Sequence, residues 1–424
     1  MRLATANTFD NTVQTITTRQ SDLARQQEKV ASGQRVLRAS DDPISAARAE
    51  RALSRITYLQ SEQRALNVQR DALAIAESTL GDAGSLVQRF RELAVSVSNA
   101  SNTAADRTTI ANEMQSIRDQ VLSLANTKDS NGIYLFSGLE SSKVQGVTTP
   151  AFTVTGATPN QQYQFNGSPG QNDPTQSAVP YTMDGDATFM QVAKGNGVFD
   201  VTIGATNQGQ LSADVGQITL TPSTGTMASS YKVNFTVTGN TTTYSVDTVP
   251  ATVPLATGPY VSGQPISFAD AVAVPNVAIS LSVQGVPVTG DSLNITPYTA
   301  VTGANPPNGS LFEMMDKVIN GVKNASSSSP GLSLAVAQGL TRIDNGLEKL
   351  MAARGQAGLW LNRADIVTAN NGTLSDQLEI DRSNAQDLDM VRGISEQQKM
   401  QTGYQAALQS YAQIQKLSLF DYIR

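Results

Sequence analysis

Three pairs of residues have the types and spacing that could carry chemistry: a serine three residues before a lysine, and two pairs of aspartates. They are Ser229 with Lys232, Asp184 with Asp186, and Asp387 with Asp389. The corresponding chemistry would be acyl transfer by an activated serine, calcium binding, or acid–base catalysis. The chain has no cysteine and no histidine, which excludes thiol nucleophiles, Ser-His-Asp triads and most zinc, copper and haem sites.

Each pair also has a simpler structural interpretation. Lys232 opens an alternating strand, where residues three apart face opposite sides, and the companion motifs of serine acyl enzymes are missing. Asp184-Gly185-Asp186 lacks the further ligands of a calcium loop, which favours a turn. Asp387 and Asp389 lie on a predicted helix, where positions i and i+2 point to different faces. We therefore expect no catalytic residues, no metal and no cofactor, and predict that the protein is not an enzyme.

Charge and hydropathy limit the possible partners. The chain has 30 basic and 36 acidic residues, which argues against nucleic acid or an anionic membrane surface as the main partner. No stretch is apolar enough for a membrane span, and the first residues lack the apolar run of a secretory signal. The residues alone therefore predict a soluble, cytoplasmic protein.

Proline placement divides the chain into three segments. Of the 17 prolines, 15 lie in residues 140–309, and this segment has only three basic residues against nine acidic ones. The proline-poor, Ala/Gln/Arg-rich flanks predict helices, and the Gly/Thr/Val-rich middle predicts strands. We predict an α+β fold, in which residues 1–139 and 310–424 together form an elongated helical coiled-coil domain and 140–309 form an inserted, outward-facing all-β domain.

Within the middle segment, residues 231–237 alternate apolar and polar side chains, Gly239-Asn240 supplies a turn, and 243–246 resume as a hairpin partner. Alternation also occurs at 277–283, and shorter apolar runs lie at 198–203 and 293–295. This pattern predicts a β-sandwich or a small barrel.

The flanks carry apolar residues at the spacing of helical seams. The helix that begins near Pro43 and runs to about residue 99 places apolar residues seven apart. The predicted packing positions are Leu59, Leu66, Leu73, Leu80, Val87, Ile117, Leu340, Leu347, Leu388, Tyr404 and Tyr411. Each stripe can be an ordinary bundle core or a face offered to neighbouring molecules. Seams at both ends of the chain favour an assembly subunit.

Four motifs, in order along the flanks, identify a family resemblance. The run from Gly33 to Pro43 (GQRVLRASDDP) resembles the N-terminal signature of bacterial flagellins and their hook-associated relatives, and 88–95 (QRFRELAV) resembles a flagellin helix. Residues 358–363 (GLWLNR) resemble the family's turn into the penultimate helix, and Asp387-Leu388-Asp389 its Asp-x-Asp signature. The signature residues are Asp41, Asp42, Pro43, Asn362, Arg363, Asp387 and Asp389.

Within the family, the beginning (MRL), residues 133–138 (IYLFSG) and the ending (LSLFDYIR) resemble hook–filament junction members more than filament flagellins. This resemblance implies a structural subunit that assembles with itself, with the hook-side junction protein and with flagellin. It implies an extracellular place in the bacterial flagellum, reached through the flagellar secretion apparatus without a cleaved signal peptide. A cytoplasmic export chaperone would bind the C-terminal helices, from about residue 385.

Two alternatives stay open from the sequence. The chain could be the filament flagellin itself. It could also be a ligand of an animal innate-immune receptor, because Arg89 and Leu93, together with Glu113, resemble the flagellin surface that such a receptor binds.

Overall fold

The computed structural model describes residues 2–97, 102–139, 143–144, 147–156, 161–170, 179–221, 227, 229–250, 254–273, 276–298, 308–324 and 330–422. Met1 and the last two residues, which belong to the terminal motifs, lie outside them. The helices in this part of the chain are α1 (Arg2–Ser32), α2 (Pro43–Val97), α3 (Ala104–Ala125), α4 (Leu311–Asn324), α5 (Pro330–Gln386) and α6 (Met390–Tyr422). The predicted start of α2 at Pro43 is confirmed, and its predicted end near residue 99 lies outside the described residues.

All the strands that the structure describes lie between α3 and α4. They are β1 (Lys143–Val144), β2 (Val147–Thr148), β3 (Phe152–Thr155), β4 (Gln162–Phe165), β5 (Val192–Ala193), β6 (Phe199–Ile203), β7 (Gln210–Ala213), β8 (Gln217–Thr221), β9 (Ser230–Thr238), β10 (Thr241–Val249), β11 (Pro254–Pro259), β12 (Pro265–Asp270), β13 (Asn276–Val286), β14 (Ser292–Pro297) and β15 (Asn308–Gly309). A single π-helical turn, Asp186–Met190, precedes β5. The predicted α+β class is confirmed.

Two antiparallel sheets form the predicted sandwich. The first has the order β11-β10-β9-β14-β6, and in the second β13 pairs with β12 on one edge and with β8 and β7 on the other. The predicted hairpin is β9 and β10, whose register pairs Thr238 with Thr241 across Gly239-Asn240. Inward-facing residues of both sheets share one hydrophobic core, because alternate positions on each strand point the same way.

The chain divides into two units. A terminal unit contains residues 1–66 and 365–424, and a central unit contains residues 67–364. In the terminal unit α1 packs against α6. The central unit contains the sandwich core and a helical core in which α3 packs against α4, and Phe90, Met114, Val121 and Phe312 are fully buried there.

Candidate assembly surfaces

The predicted signature Asp41-Asp42-Pro43 folds the connection between α1 and α2. The Asp41 carboxylate accepts hydrogen bonds from the backbone N–H groups of Leu37 and Arg38, at 3.2 and 3.1 Å. Asp42 caps α2, because its carboxylate accepts from the N–H groups of Ile44 and Ser45, at 3.2 and 3.1 Å. Hydrogen bonds from Ser45, together with the Arg35 guanidinium, lower the pKa of Asp42 to about 2.

The second aspartate signature lies between two helices, so its predicted placement on a helix is wrong. α5 ends at Gln386 and α6 begins at Met390. Asp389 accepts hydrogen bonds from the N–H groups of Val391 and Arg392, at 3.0 and 3.1 Å, and so caps α6. Capping residues favour non-helical backbone, which explains why the helix stops before this motif.

The two signatures meet in one place, which we call the signature joint (residues 33–43 and 385–393). The Arg35 N–H donates to the Gln386 carbonyl at 2.7 Å, and the Leu388 N–H donates to the Gly33 carbonyl at 2.8 Å. The Arg35 guanidinium donates to the Ala385 carbonyl at 2.8 Å. Motifs that lie about 350 residues apart in sequence therefore form a single structural element. Sequence spacing alone does not indicate this pairing.

The turn implied by residues 358–363 is absent, and this prediction is wrong. Asn362 and Arg363 lie inside the 57-residue helix α5. A glycine costs a helix about 1 kcal/mol relative to alanine. The buried face formed by Ala357, Trp360 and Ala364 outweighs that cost.

The predicted seam is divided between buried and half-buried positions. Leu59, Leu66, Leu73, Leu80, Val87 and Ile117 are buried within the single chain. Leu340, Leu347, Leu388, Tyr404 and Tyr411 are half-buried. The first group therefore packs against the chain's own residues, and its role in contacts between subunits stays a prediction.

Exposed apolar residues of the terminal unit are a surface that the sequence reasoning missed. Ile44, Tyr58 and Val391 are 66, 65 and 80% exposed. Ile366 and Ile380 on α5 are also more than half exposed. Exposed apolar side chains that adjoin one another are typical of protein contact surfaces, although the central unit also exposes apolar residues, such as Val272 at 89%. The sequence signal for this surface is a second series of apolar positions, offset from the predicted seam.

The residues that resemble a receptor-binding surface are only partly exposed. Arg89 and Glu113 lie on the surface and form an ion pair, with Nη2 and Oε1 3.1 Å apart. Leu93 is 6% exposed and belongs to the core. The structure therefore presents the two charged residues without the leucine.

A buried charge cluster, also missed from the sequence, lies where the β segment meets α3 and α4. The Arg118 guanidinium is 3.0 Å from the Asp316 carboxylate and also contacts Tyr163. The Tyr163 hydroxyl donates to Asp316 at 2.5 Å. Burial raises the pKa of Asp316, whereas the hydrogen bond from Tyr163 and the charge of Arg118 lower it. These contacts, through Tyr163 on β4, fix hairpin β3–β4 against the helices.

Of the residues first considered for chemistry in the middle segment, Asp184 has a structural role. The Asp184 carboxylate accepts from the N–H groups of Gly170 and Ala187, at 2.8 and 3.1 Å, and so forms a turn. Lys232 lies on strand β9, as predicted. Among the described residues, no group of three or more acidic side chains could hold a metal ion. None of the helices in the described part is long and apolar enough to cross a membrane.

Comparison with known proteins identifies the class. Residues 4–141 match the model of the bacterial flagellin N-terminal helical region, and residues 340–423 match that of the C-terminal helical region. Together these matches cover more than half of the chain, which therefore belongs to the flagellin family.

Particular relatives narrow this class. The chain is 33% identical over 142 residues to flagellar hook-associated protein 3 of Escherichia coli (strain K12), a match that covers 33% of this chain and 44% of that protein. Less than half of this relative's length is thus matched. The crystal structure of the flagellar junction protein FlgL from Legionella pneumophila superposes with a TM-score of 0.61 at 26% identity, covering 75% of this chain and 98% of that one. Xanthomonas campestris FlgL gives a TM-score of 0.62 at 26% identity, covering 79 and 99%.

Proposed function

We propose that the protein is a structural subunit that joins the flagellar hook to the flagellin filament by helical self-assembly. The observation that carries this proposal is the similarity, in fold and over almost their whole length, to the junction proteins of two species. The exposed apolar surface of the terminal unit supports it, because such a surface suits contact with other subunits. Its partners would be further copies of itself, the hook-side junction protein and flagellin.

We propose that residues 1–139 and 310–424 provide the assembly contacts and that 140–309 face outward. The protein would reach the flagellum through the flagellar secretion apparatus, with an export chaperone on the helices from about residue 385. Exposed Val391, Ile394 and Leu408 on α6 support this assignment, because a helix with uncovered apolar residues suits a partner's groove.

Deletion of the gene tests the proposal. We expect bare hooks, with flagellin lost to the medium, and restoration of filaments by the full chain. Hooks that keep their junction proteins while the major filament subunit disappears would identify the protein as the flagellin instead.

A matched pair of variants tests the surface. Val391→Asp places a carboxylate in the first turn of α6, where the helix dipole favours it, so folding should persist. We expect this variant to be missing from hook ends. Val272→Asp, at an 89% exposed position between β12 and β13, should incorporate normally. Normal incorporation of both variants would refute the role of the terminal unit.

A further inference from the structure

An exposed face of α2 carries three arginines that the described chain leaves without ion pairs. Ile44, Arg48, Arg51, Arg55 and Tyr58 follow one another in steps of four and three, which places them on one side of the helix. We call these five residues the arginine face. All five are exposed, and none of the three guanidinium groups has an ion-pair partner among the described residues. Arg51 donates only to the Ala47 carbonyl of its own helix, at 3.0 Å.

This face borders an open groove of about 780 Å³ between α2 and the end of α5, with Leu378, Asp381 and Asn384 on the opposite wall. Like charges one turn apart disfavour a helix by a few tenths of a kcal/mol per pair. The adjacent side of α2 stabilises it instead, because Ala49, Ala52 and Ile56 are buried there. The arginines are thus not required by the fold of the chain itself.

A face of equal length, with one carboxylate at Asp376 and no basic residue, lies on α5. Ile366, Ala369, Thr373, Asp376 and Ile380 follow one another in steps of three and four, and all five are exposed. We call these residues the aspartate face. Asp376 has no ion-pair partner among the described residues, and residues 365–389 contain six acidic residues and one basic residue. Each face spans 15 residues of a helix that rises about 1.5 Å per residue, so the two faces have the same length. Each face has an apolar residue at both ends.

We infer that the arginine face of one copy packs against the aspartate face of a second copy, with the exposed isoleucines and Tyr58 covering one another at the ends. This inference rests on the proposed function, since it names a contact through which the subunits would associate. Both faces lie in the terminal unit, so one repeated contact, with a different face on each side, can extend from copy to copy around a ring.

The first test is charge reversal in the full chain, expressed in a strain that lacks the gene. Arg51→Glu with Arg55→Glu should lower the amount of protein at hook ends at least about tenfold. Adding Asp376→Arg to the same chain should restore much of it, because the new contact again joins opposite charges. The matched control is Arg64→Glu, which changes an exposed arginine of α2 outside the arginine face and should incorporate normally.

The second test uses the absence of cysteine from the chain. Arg51→Cys and Asp376→Cys, carried by separately tagged copies, should form a mixed disulfide in isolated flagella, whereas Arg51→Cys with Arg64→Cys should not. Wild-type protein missing from hook ends would refute the proposed function. Wild-type protein at hook ends without the mixed disulfide, or reversal variants that incorporate normally, would overturn this inference alone. Loss of incorporation without rescue or disulfide would also overturn it and indicate a different acidic partner.

Discussion

The buried cluster of Arg118, Asp316 and Tyr163 allows a sharp stability prediction. Arg118 is 2% exposed and the two charges are 3.0 Å apart, so their attraction is about 5.5 kcal/mol at an effective dielectric constant of 20. Asp316→Ala leaves the guanidinium buried without this counter-charge and the Tyr163 hydroxyl without its acceptor. Removing one partner of a buried pair costs about 3–5 kcal/mol.

A neighbouring carboxylate limits this loss. Asp119 lies 3.0 Å from the Arg118 Nε but is 60% exposed, so water screens most of its charge. We therefore expect Asp316→Ala to cost about 3 kcal/mol, the lower end of the range. Asp119→Ala should cost less than about 1 kcal/mol.

Urea unfolding of the full chain measures these differences. The single tryptophan, Trp360, is buried in the central unit, so its fluorescence reports the unfolding of that unit. The double variant Arg118→Met with Asp316→Ala should be more stable than Asp316→Ala alone, because no charge then stays buried without a partner. A loss below about 1 kcal/mol for Asp316→Ala, or a double variant less stable than the single one, would refute this reasoning.

Two further predictions concern the signature joint. The lowered pKa of Asp42 means that its contribution to stability is complete above the ordinary aspartate pKa of 3.8 and is lost as the pH falls towards about 2. The helicity of the wild type should therefore decrease over this pH range, and that of Asp42→Asn should decrease less. Equal acid profiles of the two proteins in circular dichroism would contradict this. Gly393→Ala would place a Cβ 2.6 Å from Leu388 Cδ2 and should destabilise the protein by about 1–3 kcal/mol. Gly355→Ala, with no atom within 4 Å of the new Cβ, should stabilise it by about 0.5–1 kcal/mol. Chemical denaturation that ranks the two variants in the opposite order would show that the joint is not closely packed.

Local patterns in the sequence predict the secondary structure well where apolar and polar residues alternate regularly or where one residue has a fixed backbone angle. The alternation at Val277, Ile279, Leu281 and Val283 predicts strand β13, and all four side chains are buried in the sandwich. Pro43 predicts the start of α2 because its fixed backbone angle suits the first helical turn. In both cases the residue and its immediate neighbours are enough to determine the local backbone conformation.

The candidate site depends on contacts that no local pattern reveals. Asp389 caps α6 through local hydrogen bonds, but the bonds that join this turn to Gly33 and Arg35 come from the other end of the chain, and no local pattern indicates them. The charge cluster likewise joins Arg118 to Asp316, 198 residues away. The heptad pattern on α2 correctly predicts a packed helix face. The pattern does not indicate whether the partner helix belongs to the same chain.

The terminal helices α1 and α6 differ from the central unit in how much apolar surface they bury. No apolar side chain described in α1 or α6 is fully buried, although the two helices pack together. Ordering a residue costs about 1–2 kcal/mol of conformational entropy, and burial of apolar area is the main term that offsets this cost. The central unit, with its two dense cores, has that compensation within the single chain. The terminal helices have less of it within the single chain. Under the proposed function we expect contacts with neighbouring subunits to supply the rest, which would favour growth at an existing structure over association of free monomers.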